Sequence, residues 1–310
     1  MMAIRRFLLT RGILALFWTA LFLGGLYVSR VIPRGFFKKN INIIAWVELL
    51  DAHKIAEFER ETGIQVNISY YDNKDELLTK LQVGGGGNYD MIITTGYVVD
   101  TLIRKQMLQP MDRSRLSFLA ALNPALLRHY YDPKNEYSIP YSWSVYGVGV
   151  DVRMIPNYQE ITWKKLFDPA QLSGKRTVMD DPRELYTMGA YALYGSSDAL
   201  NKDTLYEVQK LLVKQKPAVE AYTDSGSAYL LASGQTQMTI TEGAYVMRLM
   251  NNYPHIKFWV PKEGSFMTIE SVVIPRSTKK LDRIYSFINF LFKTDIMKHH
   301  AQLFYFLPSR

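Results

Sequence analysis

From Asn40 onward the chain alternates between two hydrophobic periods, and this limits the folds open to it more than any other feature. Residues 41–47 form an apolar run of strand type, and residues 52–62 carry Ile55 and Phe58 at helical spacing before Gly63, which readily ends a helix. Ile64, Val66, Ile68 and Tyr70 alternate with polar residues, and Leu77, Leu78 and Leu81 mark a second helix. Residues 90–94 read as a third strand, and Val99, Leu102, Ile103 and Met107 belong to a third helix. Strand, helix, strand, helix, strand, helix predicts a doubly wound parallel sheet.

The second half continues in the same style. Residues 146–150, 176–180, 237–241, 256–260 and 269–274 read as strands. Residues 182–194, the stripe of Leu205, Val208, Leu211 and Leu212, residues 244–250 and residues 281–292 read as helices. Two α/β lobes are the simplest packing, with a ligand cleft between them at the carboxyl ends of strands.

The stretch GGGGNYDMIITTGY at 84–97 invites a phosphate-cradle reading. A phosphate loop needs its glycines after a strand and a Gly-Lys-Ser/Thr closing the turn. Here the glycines precede the apolar run and no such closure follows, so they read as a connection between the second helix and the third strand.

A net charge of +8 looks like a nucleic-acid footprint until it is located. Residues 1–40 hold seven of the 37 basic residues and no acidic one, leaving 30 basic against 29 acidic residues in the rest. The globular part is therefore near neutral, and no nucleic-acid partner is expected. The chain has no cysteine, which excludes disulfides, a thiolate nucleophile and a lipidated cysteine. Between Arg11 and Arg30 lie 18 uncharged residues, spanning roughly 27 Å as a helix, close to a hydrocarbon core. With Gly24-Gly25 a poor cleavage site, residues 12–29 read as an uncleaved anchor in preference to a removed signal, and residues 30–40 as a tether.

Enzyme constellations do not appear. His53, His129, His255, His299 and His300 sit in no metal-ligand spacing, and His299-His300 reads as a solvated helix tail. No Gly-x-Ser-x-Gly elbow occurs, Ser225-Gly226-Ser227 and Ser233-Gly234 read as turns, and Ser173-Gly174-Lys175 lacks the upstream glycine of a phosphate loop. A binding module without metal or cofactor is expected, not an enzyme.

Three strand ends carry candidate ligand groups. Trp46 closes the first strand, Thr95-Gly96-Tyr97 the third, and Asp181-Pro182-Arg183-Glu184 follows the strand at 176–180. Rings present a negative face and carboxylates accept charge-assisted hydrogen bonds, so the set suits a cationic guest. The alternatives are structural: Trp46 as core, and Asp181 with Glu184 as a capping box worth about 1 kcal/mol.

In this order and separation the three segments resemble the periplasmic spermidine/putrescine-binding proteins of polyamine ABC transporters. The resemblance runs from about Ile41 to the C-terminus and includes Asn88-Tyr89-Asp90, Tyr137-Ser138-Ile139-Pro140-Tyr141-Ser142-Trp143, Thr162-Trp163-Lys164-Lys165-Leu166-Phe167 and Phe287-Ile288-Asn289-Phe290-Leu291. It implies a type II-like two-lobed α/β binding protein with a hinge, with lobe one at 40–144 plus 267–310 and lobe two at 145–266. It also implies a monomer in the periplasm or another extracytoplasmic space that delivers a polyamine to a membrane permease. Trp46 and Tyr97 match the family's ring walls, Thr95 stands beside Tyr97, and Asp181 and Glu184 match its carboxylates.

Two departures concern the site. The family's Trp-Asn-Gly is Thr241-Glu242-Gly243 here, and its Trp-Met-Asp is Thr268-Ile269-Glu270. Both tryptophans are replaced by threonine, the acid survives as Glu270, and a new acid appears at Glu242. Two lost ring walls remove about 1–3 kcal/mol of stacking and cation–π contact, with Tyr141, Trp143 and Tyr146 as the rings available in their place. The family's Gly-Tyr-Pro-Thr-Pro-Asn corresponds to 304–309, and its later closing helices have no counterpart in the sequence. A membrane-tethered sensor or scaffold on the same fold, or a carrier for a different amine, are the alternative functions.

Overall fold

The computed structural model describes residues 18–19, 39–83, 88–168, 170, 174–198, 201–224 and 226–310. Apart from Trp18 and Thr19, the expected anchor at 12–29 lies outside the described residues, as does the glycine run at 84–87. Among the described residues, no helix is long and apolar enough to cross a membrane.

The alternation foreseen at the start of the fold is present. Strand β1 (Asn40–Trp46) is followed by α1 (Ala52–Thr62), β2 (Gln65–Tyr71), α2 (Lys74–Val83), β3 (Met91–Thr95) and α3 (Gly96–Arg104). β1 pairs in parallel with β2 on one side and β3 on the other. Ile41, Ile43 and Ala45 enter one hydrophobic core and Ile44 another, so helices cover both faces of the sheet. That double burial is why β1 is almost continuously apolar. Local signals set the helix ends. Asp51 accepts from the His53 N–H, and Gly63 closes α1 at φ 67°. Asn73 Oδ1 accepts from the Asp75 and Glu76 N–H groups at 2.8 and 3.2 Å, which makes Lys74 the first residue of α2.

The long strand β4 (Ser138–Asp151) runs through both lobes. After it come α4 (Trp163–Phe167), β5 (Arg176–Val178), α5 (Pro182–Tyr194), α6 (Lys202–Gln215), β6 (Val219–Tyr222) and α7 (Ser227–Ala232). The chain continues through β7 (Met238–Glu242), α8 (Gly243–Met250), β8 (Ile256–Trp259), β9 (Met267–Val273), α9 (Leu281–Leu291), α10 (Thr294–Phe304) and β10 (Leu307–Pro308). Residues 138–145 of β4 pair antiparallel with β9, whereas residues 146–151 pair antiparallel with β7 and β8. Gly147 stands just past this change of partner, where a Cβ would overlap the Phe258 ring and the Trp259 carbonyl.

Three sequence expectations need correction. The sheet is mixed rather than wholly parallel, because β9 enters antiparallel between β3 and β4, carrying the chain back from the second lobe. Ser227, expected in a turn, opens α7, its hydroxyl bonded to the Asp224 carbonyl. His300, expected in a solvated tail, is fully buried. Its Nε2 accepts from the Asp51 N–H at 3.1 Å, which leaves Nδ1–H facing the Tyr141 hydroxyl at 2.6 Å. Burial, then the neighbouring His299 charge, pulls the His300 pKa down to about 4.

Candidate ligand cleft

An inner cavity of about 60 Å³ opens between the lobes, at the carboxyl ends of β1 and β7. Trp46 lines it from the first lobe, half-buried and edge-on to Tyr71 at 5.2 Å. Its indole N–H donates to the Tyr245 hydroxyl of α8 at 2.9 Å, so Trp46 is at once a packed ring and a cleft wall. Trp143 and Tyr146, both on β4, add further rings, and Phe266 stacks on Tyr146 at 4.6 Å. Tyr141, the third ring named as a replacement, is fully buried against His300 instead.

The α5 carboxylates face a cation supplied by the protein. Asp181 Oδ1 caps α5 by accepting from the Arg183 N–H at 2.8 Å, while Oδ2 lies 3.1 Å from Lys74 Nζ. The cap therefore forms, yet Glu184 does not reach back to complete a capping box. It pairs with Lys74 Nζ through one oxygen and accepts the Tyr146 hydroxyl through the other. Burial alone would lower the Lys74 pKa, but the Glu184 and Asp181 charges outweigh it and the ammonium is held more firmly than in water. Burial likewise opposes ionisation of Asp181, and the Lys74 and Arg183 charges overcome it and hold its pKa below the usual carboxylate range.

The deeper carboxylates are shifted the other way. Glu242 Oε1 accepts from the Thr268 hydroxyl at 3.1 Å and lies 3.2 Å from the Tyr146 oxygen, whose single proton is directed at Glu184. Its pKa is raised by burial and then by the Glu184 charge. Glu270 pairs with Thr95 across β9 and β3. Its Oε2 is sealed from solvent and has no hydrogen-bond partner among the described residues. Burial and the Glu242 charge push its pKa up to about 8. Asp224 joins the same cavity, and burial and the Glu184 charge raise it to about 7. Burial and mutual repulsion raise all three acids, so the cavity favours an added positive charge.

An outer groove of about 510 Å³ adjoins this cavity and is lined by Thr95, Tyr97, Asp181, Glu184 and Thr268. The Tyr97 ring carries the Arg183 guanidinium 4.0 Å above its centroid. Gly96 has no room for a Cβ because the Tyr131 ring closes over it, and the buried Thr95 hydroxyl has no partner among the described residues. Thr241 lines neither space; it is buried, with its hydroxyl 3.4 Å from Ser227 Oγ.

The profile of the bacterial extracellular solute-binding proteins matches residues 54–310. This chain belongs to that family. It is an extracytoplasmic solute-binding protein with a two-lobed fold, and not an enzyme. Its relatives include the spermidine/putrescine-binding periplasmic protein of Escherichia coli, 29% identical over 258 residues that cover 83% of this chain and 74% of that one. The putrescine/cadaverine-binding protein of Pseudomonas aeruginosa is 28% identical over 264 residues, covering 82% and 74%. Among solved structures, a putative spermidine/putrescine ABC transporter protein from Listeria monocytogenes superposes with a TM-score of 0.78 at 28% identity, covering 86% of this chain and 82% of that one.

Lys74, Asp224 and Tyr245 are among the residues of this solute-binding protein's cleft that escaped the sequence reading. Lys74 opens a helix, where the dipole disfavours a cation, and that local misfit was a usable signal. Asp224 stands two residues past β6, a strand end that had not been identified as one. Tyr245 lies three residues beyond Glu242, within one helical turn of a strand end already under consideration.

Proposed function

We propose that this solute-binding protein captures a small polyamine-like cation between its lobes and presents it to an ABC transporter permease. Its carrying observation is the Glu242–Glu270 pair: two enclosed carboxylates that repel one another, one with an oxygen lacking any partner among the described residues. An ammonium group entering there satisfies Glu270 Oε2 and lets Glu270 ionise beside Glu242. The rings of Trp46, Trp143, Tyr146 and Tyr245 then wall the alkyl chain. Thr268 orients Glu242. Asp181, Glu184, Thr95 and Tyr97 form the outer end of the site, and Thr241, buried on β7, takes no direct part. The relatives named for spermidine, putrescine and cadaverine binding favour the same class of cargo.

Lobe one in this reading is 40–144 plus 267–310 and lobe two is 145–266, with β4 and β9 as the hinge. The exchange of pairing partners along β4 between Val145 and Tyr146 supports that boundary. The protein acts as a monomer, tethered to the outer face of the inner membrane through residues 12–29. Isothermal calorimetry of the purified full chain with putrescine, cadaverine and spermidine tests the cargo. Saturable binding is expected; no heat at millimolar amine from folded protein overturns the reading.

A further inference from the structure

The outer end of the cleft is already neutralised by the protein's own cations. Lys74 Nζ sits on Asp181 Oδ2 at 3.1 Å and on Glu184, with the Lys74 side chain only 9% exposed. Arg183 covers the Tyr97 ring at 4.0 Å and reaches Asp75 on α2 at 3.4 Å. The two features that receive a cation at this end, a carboxylate pair and an aromatic face, are thus both occupied from within. Lys74 borders the inner cavity and the outer groove alike, so its side chain divides one from the other. The remaining acidic space has room for about four to six waters, each needing roughly 10–15 Å³. That is the size of a short alkylammonium rather than an extended triamine.

Resting on the cation-binding reading above, we infer that Lys74 is a resident ammonium filling the outer ammonium position, so that cargo engages this protein through a single ammonium group at Glu242 and Glu270. A buried charge pair of this geometry is not displaced cheaply, because a second ligand ammonium must first expel Lys74 and leave it without a counter-ion. Chain length beyond the first ammonium therefore adds no affinity, and the specificity-determining residue is Lys74.

The test is calorimetry of the full chain with 1-butylamine, putrescine and spermidine, for the wild type, Lys74→Met and Lys74→Arg. The wild type is expected to bind the three amines within about threefold of one another. Lys74→Met frees Asp181 and Glu184, and spermidine should then exceed butylamine by at least about tenfold, whereas Lys74→Arg keeps the wild-type order. Wild-type protein that binds spermidine tenfold or more tightly than butylamine overturns the inference, and this result needs no variant to fold. A folded Lys74→Met protein with an unchanged order overturns it as well. Absence of binding by all three amines to folded wild type removes the cation-binding reading itself, whereas binding in the wrong order removes only the role of Lys74.

Discussion

The indole N–H of Trp46 donates to the hydroxyl of Tyr245 at 2.9 Å, joining the end of β1 in one lobe to α8 in the other. Nearby, Arg248 of the same helix meets Glu48 at 2.6 Å, so this side of the cleft closes on one enclosed contact and one exposed one. The exposed pair contributes little, about 0–1 kcal/mol. The enclosed hydrogen bond contributes about 1 kcal/mol and exists only while the lobes are together. Trp46→Phe and Tyr245→Phe should each weaken amine binding about fivefold. The double variant should lose little more than either single one, giving a coupling of about 1 kcal/mol in a double-mutant cycle measured by calorimetry. Strict additivity shows that the contact plays no part in closure.

Glu270→Gln separates charge from shape at the innermost position. The folded Glu270 pKa of about 8 lies above its ordinary value of 4.5. The folded protein therefore binds the extra proton between those values, and the stability this group contributes is full in acid and lost as pH rises through about 8. Without ligand, Glu270→Gln should be more stable than the wild type above about pH 8, on the order of 3 kcal/mol, with the advantage gone near pH 4. Its amine affinity should fall about 30-fold, equivalent to about 2 kcal/mol. Denaturant unfolding at the two pH values and calorimetry check both arms; equal stability at high pH counts against a buried, uncompensated acid.

The same raised pKa couples cargo binding to proton release. Glu242, Lys74 and Glu184 are the charges that act on Glu270, and of these only Lys74 favours its ionised form. An added ammonium shifts the balance toward the carboxylate, so the amine displaces a proton wherever Glu270 is protonated. Affinity should rise by up to about tenfold per pH unit between about pH 6 and pH 8 while the amine stays charged. Calorimetry in buffers of different ionisation enthalpy should give about one proton released per amine near pH 7. A binding heat that does not depend on the buffer contradicts the coupling.

What was legible in the sequence follows from the range over which each cause acts. β1, α1, β2 and β3 are set by local period and by caps such as Asp51 and Gly63, so they could be read directly. The acids at 181 and 184 could be placed because strand ends of open sheets face the cleft, whereas those at 242 and 270 came from the resemblance to the polyamine-binding proteins. The mixed sheet could not, since the position of β9 between β3 and β4 depends on which lobe the returning chain crosses. Lys74 could be flagged only as a cation misplaced at a helix start, and its role could not be read, because its partners lie 107 and 110 positions away. His300 was misread for the same reason, because its partners Asp51 and Tyr141 come from distant elements and the local pattern 294–304 is that of a half-exposed helix.

His300 sets an acid limit on the first lobe. An unfolded histidine titrates near 6.5, and the folded one near 4, so between those values the unfolded chain binds the extra proton. Stability from this residue is complete above about pH 6.5 and is lost as pH falls toward 4, by up to about 3 kcal/mol. The raised cleft acids act in the opposite sense, which makes the difference between proteins the quantity to read. His300→Gln removes the titrating ring. It should lower stability at pH 7 by about 1–3 kcal/mol, because the Asp51 N–H and Tyr141 hydroxyl lose well-placed partners. It should also be less sensitive to acid than the wild type between about pH 6.5 and 4, so the two stability curves converge. Urea unfolding across that range tests this; parallel curves would show that His300 takes up its proton in the folded protein as readily as in the unfolded chain.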